Sequence, residues 1–343
     1  FKQLADLNRK ELWFIILVFI AILILNLPIL FYVRDTSYQD SKQKMKFELK
    51  EVSKELKNKI FYQVRDSIDK LNEEDEIITL LNNINKDNHT PNMRRKHVNI
   101  LLNNTKDILN ANAVYLMNKS GTVVASTNFG ASNQTFRGEN YGFRPYFKDA
   151  IAGANTVYGA VGTTSGERGI YFSTPVREHS NIKGVLVVKI GLQEIDKILD
   201  QFNYPTMILS PEGIVFSSNK EEYMYNLLKN DQDNNLNYDS LKDQFALNSI
   251  KRLKIDPAAG QIKIEQQKYL LESFDLNIQG WQITSFKPVR GFFYTKSSRQ
   301  FFLIVLLMTS LLGLIILALL VNRFYKIKLE NKLRKFSKIL EQS

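Results

Sequence analysis

Val114-Tyr115-Leu116-Met117, the turn Asn118-Lys119-Ser120-Gly121 and then Thr122-Val123-Val124-Ala125-Ser126 decide how this chain folds. β-Branched and aromatic residues flank a polar turn that ends in glycine, the composition of a strand, a tight turn and a second strand. The pattern returns 92 residues later, where Met207-Ile208-Leu209 precedes Ser210-Pro211-Glu212-Gly213 and Ile214-Val215-Phe216-Ser217-Ser218. Gly121 then matches Gly213, Val123 matches Val215 and Ser126 matches Ser218. A further strand pattern closes each copy, 184–190 in the first and 280–286 in the second. Two successive α/β units of similar length, each a small antiparallel sheet with helical insertions, account for the repeat.

Upstream of the first strand the period is helical. Met45, Leu49, Val52, Leu56, Ile60, Val64, Ile68 and Leu71 recur at spacings of three and four, one apolar stripe on a long polar helix. The spacing predicts a single helix over 37–81, roughly 65 Å long at 1.5 Å per residue. Its upper part is expected to pack on its own domain and its lower part near a second copy. A polar turn over 82–91 and a second helix through Val98, Leu101, Leu102, Ile108 and Leu109 follow.

Two uncharged apolar runs, 12–33 and 301–321, bracket everything described so far. Each matches the roughly 20 residues that a helix needs to cross a bilayer. The first is too long for a signal-peptide core and ends in Leu30-Phe31-Tyr32-Val33 instead of small residues, so a retained span is expected. Lys2, Arg9 and Lys10 precede it; Arg323, Lys326, Lys328, Lys332, Arg334, Lys335 and Lys338 follow the second. Flanks rich in Lys and Arg face the cytoplasm, which places both termini inside and residues 34–300 outside. Ten of the 46 basic residues lie on these flanks, so the formal net charge of +11 speaks for topology before it speaks for nucleic acid. The chain has no cysteine, hence no thiol nucleophile or zinc–thiolate site, and His89, His97 and His179 are too scattered to suggest a metal. Hydrolase and nucleotide-binding signatures are missing, and no cofactor is expected.

A long helix after one span, two tandem PAS-like sheet units and a second span resemble the extracellular double-Cache (PDC) sensor domain of bacterial receptors. The resemblance covers about residues 35–300. Within it, Gly138-Glu139-Asn140-Tyr141-Gly142-Phe143-Arg144-Pro145-Tyr146-Phe147 and the run from Tyr158 through Gly162-Thr163-Thr164-Ser165-Gly166-Glu167-Arg168 to Ser173 are similar to the four-carbon-dicarboxylate sensor histidine kinases. Related domains that bind amino acids carry a late acidic residue in the closing strand; Lys189 stands in that neighbourhood, and Tyr146-Phe147 replaces a Trp-Tyr pair. An amino acid is therefore disfavoured.

The residues can also be weighed as chemistry. Arg144 offers a planar fork of donors that suits a carboxylate. Thr163, Thr164 and Ser165 offer hydroxyls and backbone N–H groups in a glycine-flanked loop. Lys189 interrupts the apolar run Val185-Leu186-Val187-Val188-Lys189-Ile190, where a charge costs free energy unless it is paired or meets a ligand. Singly, Arg144 also reads as a structural arginine, the Thr-Thr-Ser loop as a plain hairpin turn, and Lys189 as a lysine reaching solvent from an edge strand. Together they form a candidate ligand site of Tyr141, Phe143, Arg144, Tyr146, Thr163, Thr164, Ser165, Arg168, Tyr171 and Lys189, with no catalytic or metal residue. The second unit shows no such convergence of charge and reads as a spacer that passes movement to the membrane.

The expected fold is thus α+β, two tandem PAS-like antiparallel-sheet units on a long N-terminal helix, flanked by two transmembrane helices. The segments are 1–11 inside, 12–33 first span, 34–110 helical stalk, 111–200 ligand-binding unit, 201–300 membrane-proximal unit, 301–321 second span and 322–343 a signalling helix. Leu329, Leu333, Phe336 and Leu340 give that helix a short heptad seam. The chain starts without methionine and stops at Ser343, so it is expected to be part of a longer protein. The resemblance implies the sensor region of a two-component histidine kinase in the cell (inner) membrane, with the sensor periplasmic or extracellular. It further implies a small carboxylate ligand, a homodimer and a cytoplasmic response regulator, with no nucleic acid. The same sensor in a chemoreceptor or diguanylate cyclase is the alternative; a membrane-anchored extracellular enzyme has no catalytic constellation behind it.

Overall fold

The computed structural model describes residues 9–87, 92–127, 136–228, 236–253, 261–264, 267–288 and 296–340. It divides into two bodies, Phe1–Lys44 with Val289–Ser343, and Met45–Pro288.

In the first body, two apolar helices run antiparallel: the N-terminal part of α1 (Arg9–Leu56) and α7 (Lys296–Leu340). Each contains a stretch long and apolar enough to cross a membrane. Phe14 meets Phe324 edge-on at 6.2 Å, Ile22 lies 3.2 Å from where a Cβ on Gly313 would be, and Ser298 donates to Ser37 at 2.8 Å. Between them Asn26 donates to the Ile22 carbonyl at 2.8 Å and accepts from the Thr309 hydroxyl at 2.9 Å. That amide is the one strongly polar group in the first run. With both its ends satisfied it becomes a contact between the helices, of the kind worth about 0.6–2 kcal/mol in a membrane.

The second body holds two five-stranded antiparallel sheets of identical topology. The first contains β1 (Ala113–Asn118), β2 (Val123–Ser126), β3 (Thr156–Val161), β4 (Arg168–Glu178) and β5 (Asn181–Ile190) in the order β2-β1-β5-β4-β3. The second contains β6 (Thr206–Leu209), β7 (Val215–Ser218), β8 (Gln261–Ile264), β9 (Gln267–Asp275) and β10 (Gln282–Pro288) in the order β7-β6-β10-β9-β8. The repeat read from the turns extends to detail. Gly121 and Gly213 both have φ near +90°, at +84° and +91°, and the register of each first hairpin slips at the matching place, Leu116/Met117 and Ile208/Leu209. α6 (Gln193–Leu199) connects the two sheets.

The apolar stripe builds the core of this body. Leu49, Leu56, Ile60, Val64, Ile68 and Leu71 are buried in one cluster with Leu116, Phe172, Leu186 and Val188 from the first sheet. Met45 is buried as well, so the lower stripe also packs within the chain. The helix differs from the single rod expected over 37–81 in two ways. A π-helical turn, Lys57–Tyr62, follows α1, and its wider circumference turns the consecutive residues Ile60 and Phe61 both inward, Phe61 onto the Phe172 ring at 5.6 Å. α2 (Gln63–Asn72) then stops before Glu73 and Glu74, and α3 (Asp75–Asp87) restarts with Asp75 and Glu76 in its first turn, where acidic side chains favour a helix N-terminus. Helix therefore occupies 82–87, where a turn was expected; the rest of that expected turn, 88–91, lies outside the described residues. α4 (Asn92–Leu109) is the second expected helix.

Candidate ligand-binding cleft

One face of the first sheet packs on the helices; the other carries the cleft. Strand alternation sorts the side chains. On β5, Leu186 and Val188 join the helix-side core, whereas Val185 and Val187 join Tyr115, Met117, Tyr146, Phe147 and Tyr171 on the opposite side. Lys189 shares that parity. It pairs with Ala113 on β1 and Tyr171 on β4, so it emerges at the centre of the sheet. It is not the edge-strand lysine that the sequence left open.

The covering segment is tied down by backbone bonds. Thr122 bridges to Asn140, Gly138 N donates to the Val123 carbonyl at 2.9 Å, and Tyr141 N donates to the Gly121 carbonyl at 2.9 Å. The Asn140 amide donates to Ser120 O at 2.9 Å and accepts from Gly142 N at 2.9 Å. The chain then enters α5 (Pro145–Ile151), with Arg144 extended at its N-cap (φ −68°, ψ 138°) because a residue before proline avoids the helical region. That conformation turns Arg144 to the cleft, where it is 6% exposed and donates through Nη2 to the Val161 carbonyl at 3.1 Å.

Tyr115, Phe136, Tyr141, Arg144, Tyr146, Gly162, Thr163, Thr164, Ser165, Tyr171 and Lys189 enclose about 290 Å³, part of it open to solvent. Tyr146 stacks on Tyr171 at 5.1 Å and its hydroxyl meets that of Tyr115 at 2.8 Å. The Tyr141 hydroxyl meets Thr164 Oγ1 at 2.8 Å. Lys189, 2% exposed, donates to Ser165 Oγ at 2.7 Å and lies 5.7 Å from the Tyr171 ring centre. Its alkyl chain crosses Gly169: a Cβ there would fall 2.6 Å from Lys189 Cε, so only glycine leaves the path open. Gly162 is open for the same reason, since a Cβ would lie 2.5 Å from Ser165 Oγ and 3.2 Å from Lys189 Nζ.

The electrostatics follow from burial. Desolvation lowers the Lys189 pKa; Glu167 opposes that and Arg144 adds to it. Desolvation pushes Tyr115, Tyr141, Tyr146 and Tyr171 up, and Tyr158, packed on Tyr146 and beside Arg144, up to about 12. The phenols thus stay neutral donors across the ordinary pH range. Among the described residues no carboxylate lines the cleft, and neither Arg144 nor Lys189 forms an ion pair. Two buried cations without an ion-pair partner are costly unless an anion joins them.

Eight of the ten expected site residues meet here. Phe143 and Arg168 do not. Phe143 is 57% exposed and lies under the Arg144 guanidinium at 5.5 Å, outside the cleft. Arg168 points to the other face, as strand alternation from Tyr171 requires, and pairs with Asp196 at 3.0 Å. Tyr115, Phe136 and Gly162 are the lining residues that sequence reasoning missed. Tyr115 sits in the apolar part of β1, and its 2.8 Å bond to Tyr146 sets it apart from core.

Residues 34–295 match the model of the Cache domain family. Among curated proteins, the chain is 28% identical over 178 residues to the C4-dicarboxylate transport sensor protein DctB of Pseudomonas aeruginosa, a match to 52% of this chain and 28% of that protein. It is 30% identical over 105 residues to the protein of the same name from Rhizobium meliloti, 31% of this chain and 17% of that one. The chain therefore spans under a third of the curated relatives it matches. Among solved structures, the sensor domain of the V. cholerae histidine kinase DctB aligns with a TM-score of 0.63 at 24% identity, over 74% of this chain and 99% of that one. The ligand-binding domain of the Campylobacter jejuni chemoreceptor Tlp3, in complex with 4-methylisoleucine, aligns at 0.51 and 13% identity, over 75% and 92%.

Proposed function

Because this chain belongs to the Cache domain family, we propose that it is the sensor region of a membrane receptor whose cleft binds a small dicarboxylate. The observation that carries this reading is the pair Arg144 and Lys189, both buried, both lining one cleft that contains no acid among the described residues. A dianion of about four carbons takes one carboxylate on the guanidinium fork and one on the ammonium. Thr163, Thr164 and Ser165 add hydroxyls and the tyrosines supply neutral donors. A free amino acid fits poorly, because its ammonium would meet two cations and no carboxylate. The chain crosses the membrane twice with both termini cytoplasmic, presents residues 34–300 outside and works as a homodimer. The parent protein is a sensor histidine kinase with a response regulator as its partner; the two curated relatives are named as C4-dicarboxylate transport sensor proteins. Ligand acts by preferring one of two helix arrangements, a coupling typically worth about 1–3 kcal/mol.

Calorimetry on the purified chain with succinate, malate and fumarate tests the site. Binding is expected in the native chain and lost in Arg144→Ala; equal affinity in the two would refute the assignment, and preference for leucine over succinate would refute the ligand class.

The same titration has a pH signature. The ligand needs the protonated ammonium, and Lys189 has a depressed pKa, so affinity is present at neutral pH and falls as pH rises through a value below the ordinary 10.5. The tyrosines, shifted upward, take no part. Lys189→Arg is expected to retain binding and to lose the alkaline fall; a fall that survives in that variant would assign it to another group.

A further inference from the structure

Arg168 begins β4 two residues after Gly166, and its side chain leaves the cleft for the second sheet. Nη2 pairs with Asp196 Oδ2 at 3.0 Å and Nη1 donates to the Phe216 carbonyl at 3.0 Å. Asp196 extends the tie, its other oxygen accepting from Ser217 Oγ at 2.5 Å. One guanidinium therefore joins β4 of the first sheet, α6 between the sheets and β7 of the second. The pair is about one-third exposed, at 29% and 32%, so it adds little to stability; what it provides is fixed geometry, since a planar fork holds two acceptors at once.

On the cleft side the neighbouring residue closes the polar loop. Glu167 O accepts from Gly162 N at 3.0 Å, Gly166 N donates to Gly162 O at 2.8 Å, and the Glu167 carboxylate accepts from Asn112 at 3.2 Å. Ser165, inside this ring, receives the Lys189 ammonium. A ligand that orders 163–165 thus acts on a closed loop whose last residue is covalently next to Arg168. Further hydrogen bonds between the two units lie on and beside β3: Gln244 to Gly159 O at 2.8 Å, and Gln279 to Val157 N at 2.7 Å and to Asn155 O at 2.8 Å. They hold the two units together independently of Arg168.

We infer that Arg168 is the positioning residue through which order in the ligand loop reaches the second sheet, at β7 and through Asp196. The inference rests on the ligand reading above. Hydrogen–deuterium exchange on the 343-residue chain in detergent micelles, with and without succinate, tests it against Arg168→Gln. In the native chain succinate is expected to slow exchange over both 162–167 and 215–218; in Arg168→Gln it slows 162–167 alone. Equal slowing of 215–218 in both proteins overturns the inference. If succinate alters nothing at 162–167 in the native chain, the ligand reading fails and the unliganded proteins decide. Arg168→Gln then has to speed exchange at 162–167 and 215–218 together, and an unchanged 162–167 overturns the tie. A merely structural ion pair is separated by Arg168→Asp combined with Asp196→Arg, which restores the pair without the Phe216 bond. Recovered thermal stability with no ligand response at 215–218 supports transmission through the arginine, and a recovered response overturns it.

Discussion

Lys189→Met is expected to abolish dicarboxylate binding while leaving the protein at least as heat-stable as before. Removing one charged partner from a buried, hydrogen-bonded pair costs about 2–5 kcal/mol, or roughly 30- to 5,000-fold in Kd. Stability moves the other way. Without ligand the ammonium has one hydroxyl contact and one ring, and burial lowers its pKa. A lysine whose folded pKa is depressed destabilises the fold while it is charged, and that cost lifts only as pH rises from the depressed value towards 10.5. Methionine has the length to lie across Gly169 and carries no charge, so the cost disappears at every pH. Thermal melts with and without succinate, beside calorimetry, check both halves. A retained Kd would remove Lys189 from the site; a large fall in melting temperature would mean that the ammonium supports the fold.

The same residue shows how far the sequence was readable. Lys189 stood out as a charge in an apolar run, but both faces of β5 are covered, so every residue from Gly184 to Ile190 is buried and no alternation marks which face it shares. Its direction depends on pairing with Ala113 and Tyr171, contacts across 76 and 18 residues that no local pattern encodes. Arg144, Thr163, Thr164 and Ser165 were legible because their neighbours are proline, which restricts the backbone, and glycine, which marks a turn. Arg168 failed for the reason that Tyr115 was missed: parity along a strand decides the face, and a one-residue difference from the loop sends one side chain to the cleft and the next away from it. The long helix was legible as a stripe. Its break at Glu73 was not, because the apolar spacing runs on into Ile77, Leu80 and Leu81, which are buried in the same core from a new helix.

Gly121→Ala is expected to cost far more than Gly138→Ala, although both glycines have left-handed backbone, with φ of +84° and +92°. Both have positive φ, and alanine in that region costs about 1–2 kcal/mol. The Gly121 carbonyl receives a bond from a later segment, from Tyr141 N at 2.9 Å. That later segment passes against the turn: a Cβ on residue 121 would lie 2.4 Å from Gly142 Cα and 2.5 Å from Gly142 N, whereas a Cβ on residue 138 would meet nothing within 4 Å. Backbone cannot rotate aside as a flexible side chain does, so 138–144 must move. Forcing the backbone shift adds about 1–3 kcal/mol, for a summed cost of about 2–5 kcal/mol, several times a typical surface substitution, and near 2–4 °C of melting temperature per kcal/mol for a body of this size. Because Arg144 stands two residues beyond Gly142, Gly121→Ala should also weaken succinate binding, and by more than Gly138→Ala does. Melting temperatures and calorimetric titrations of the two variants decide the point. Equal losses of stability would mean that the close approach to Gly142 relaxes freely, and unchanged binding in Gly121→Ala would mean that the segment holding Arg144 is positioned without the turn.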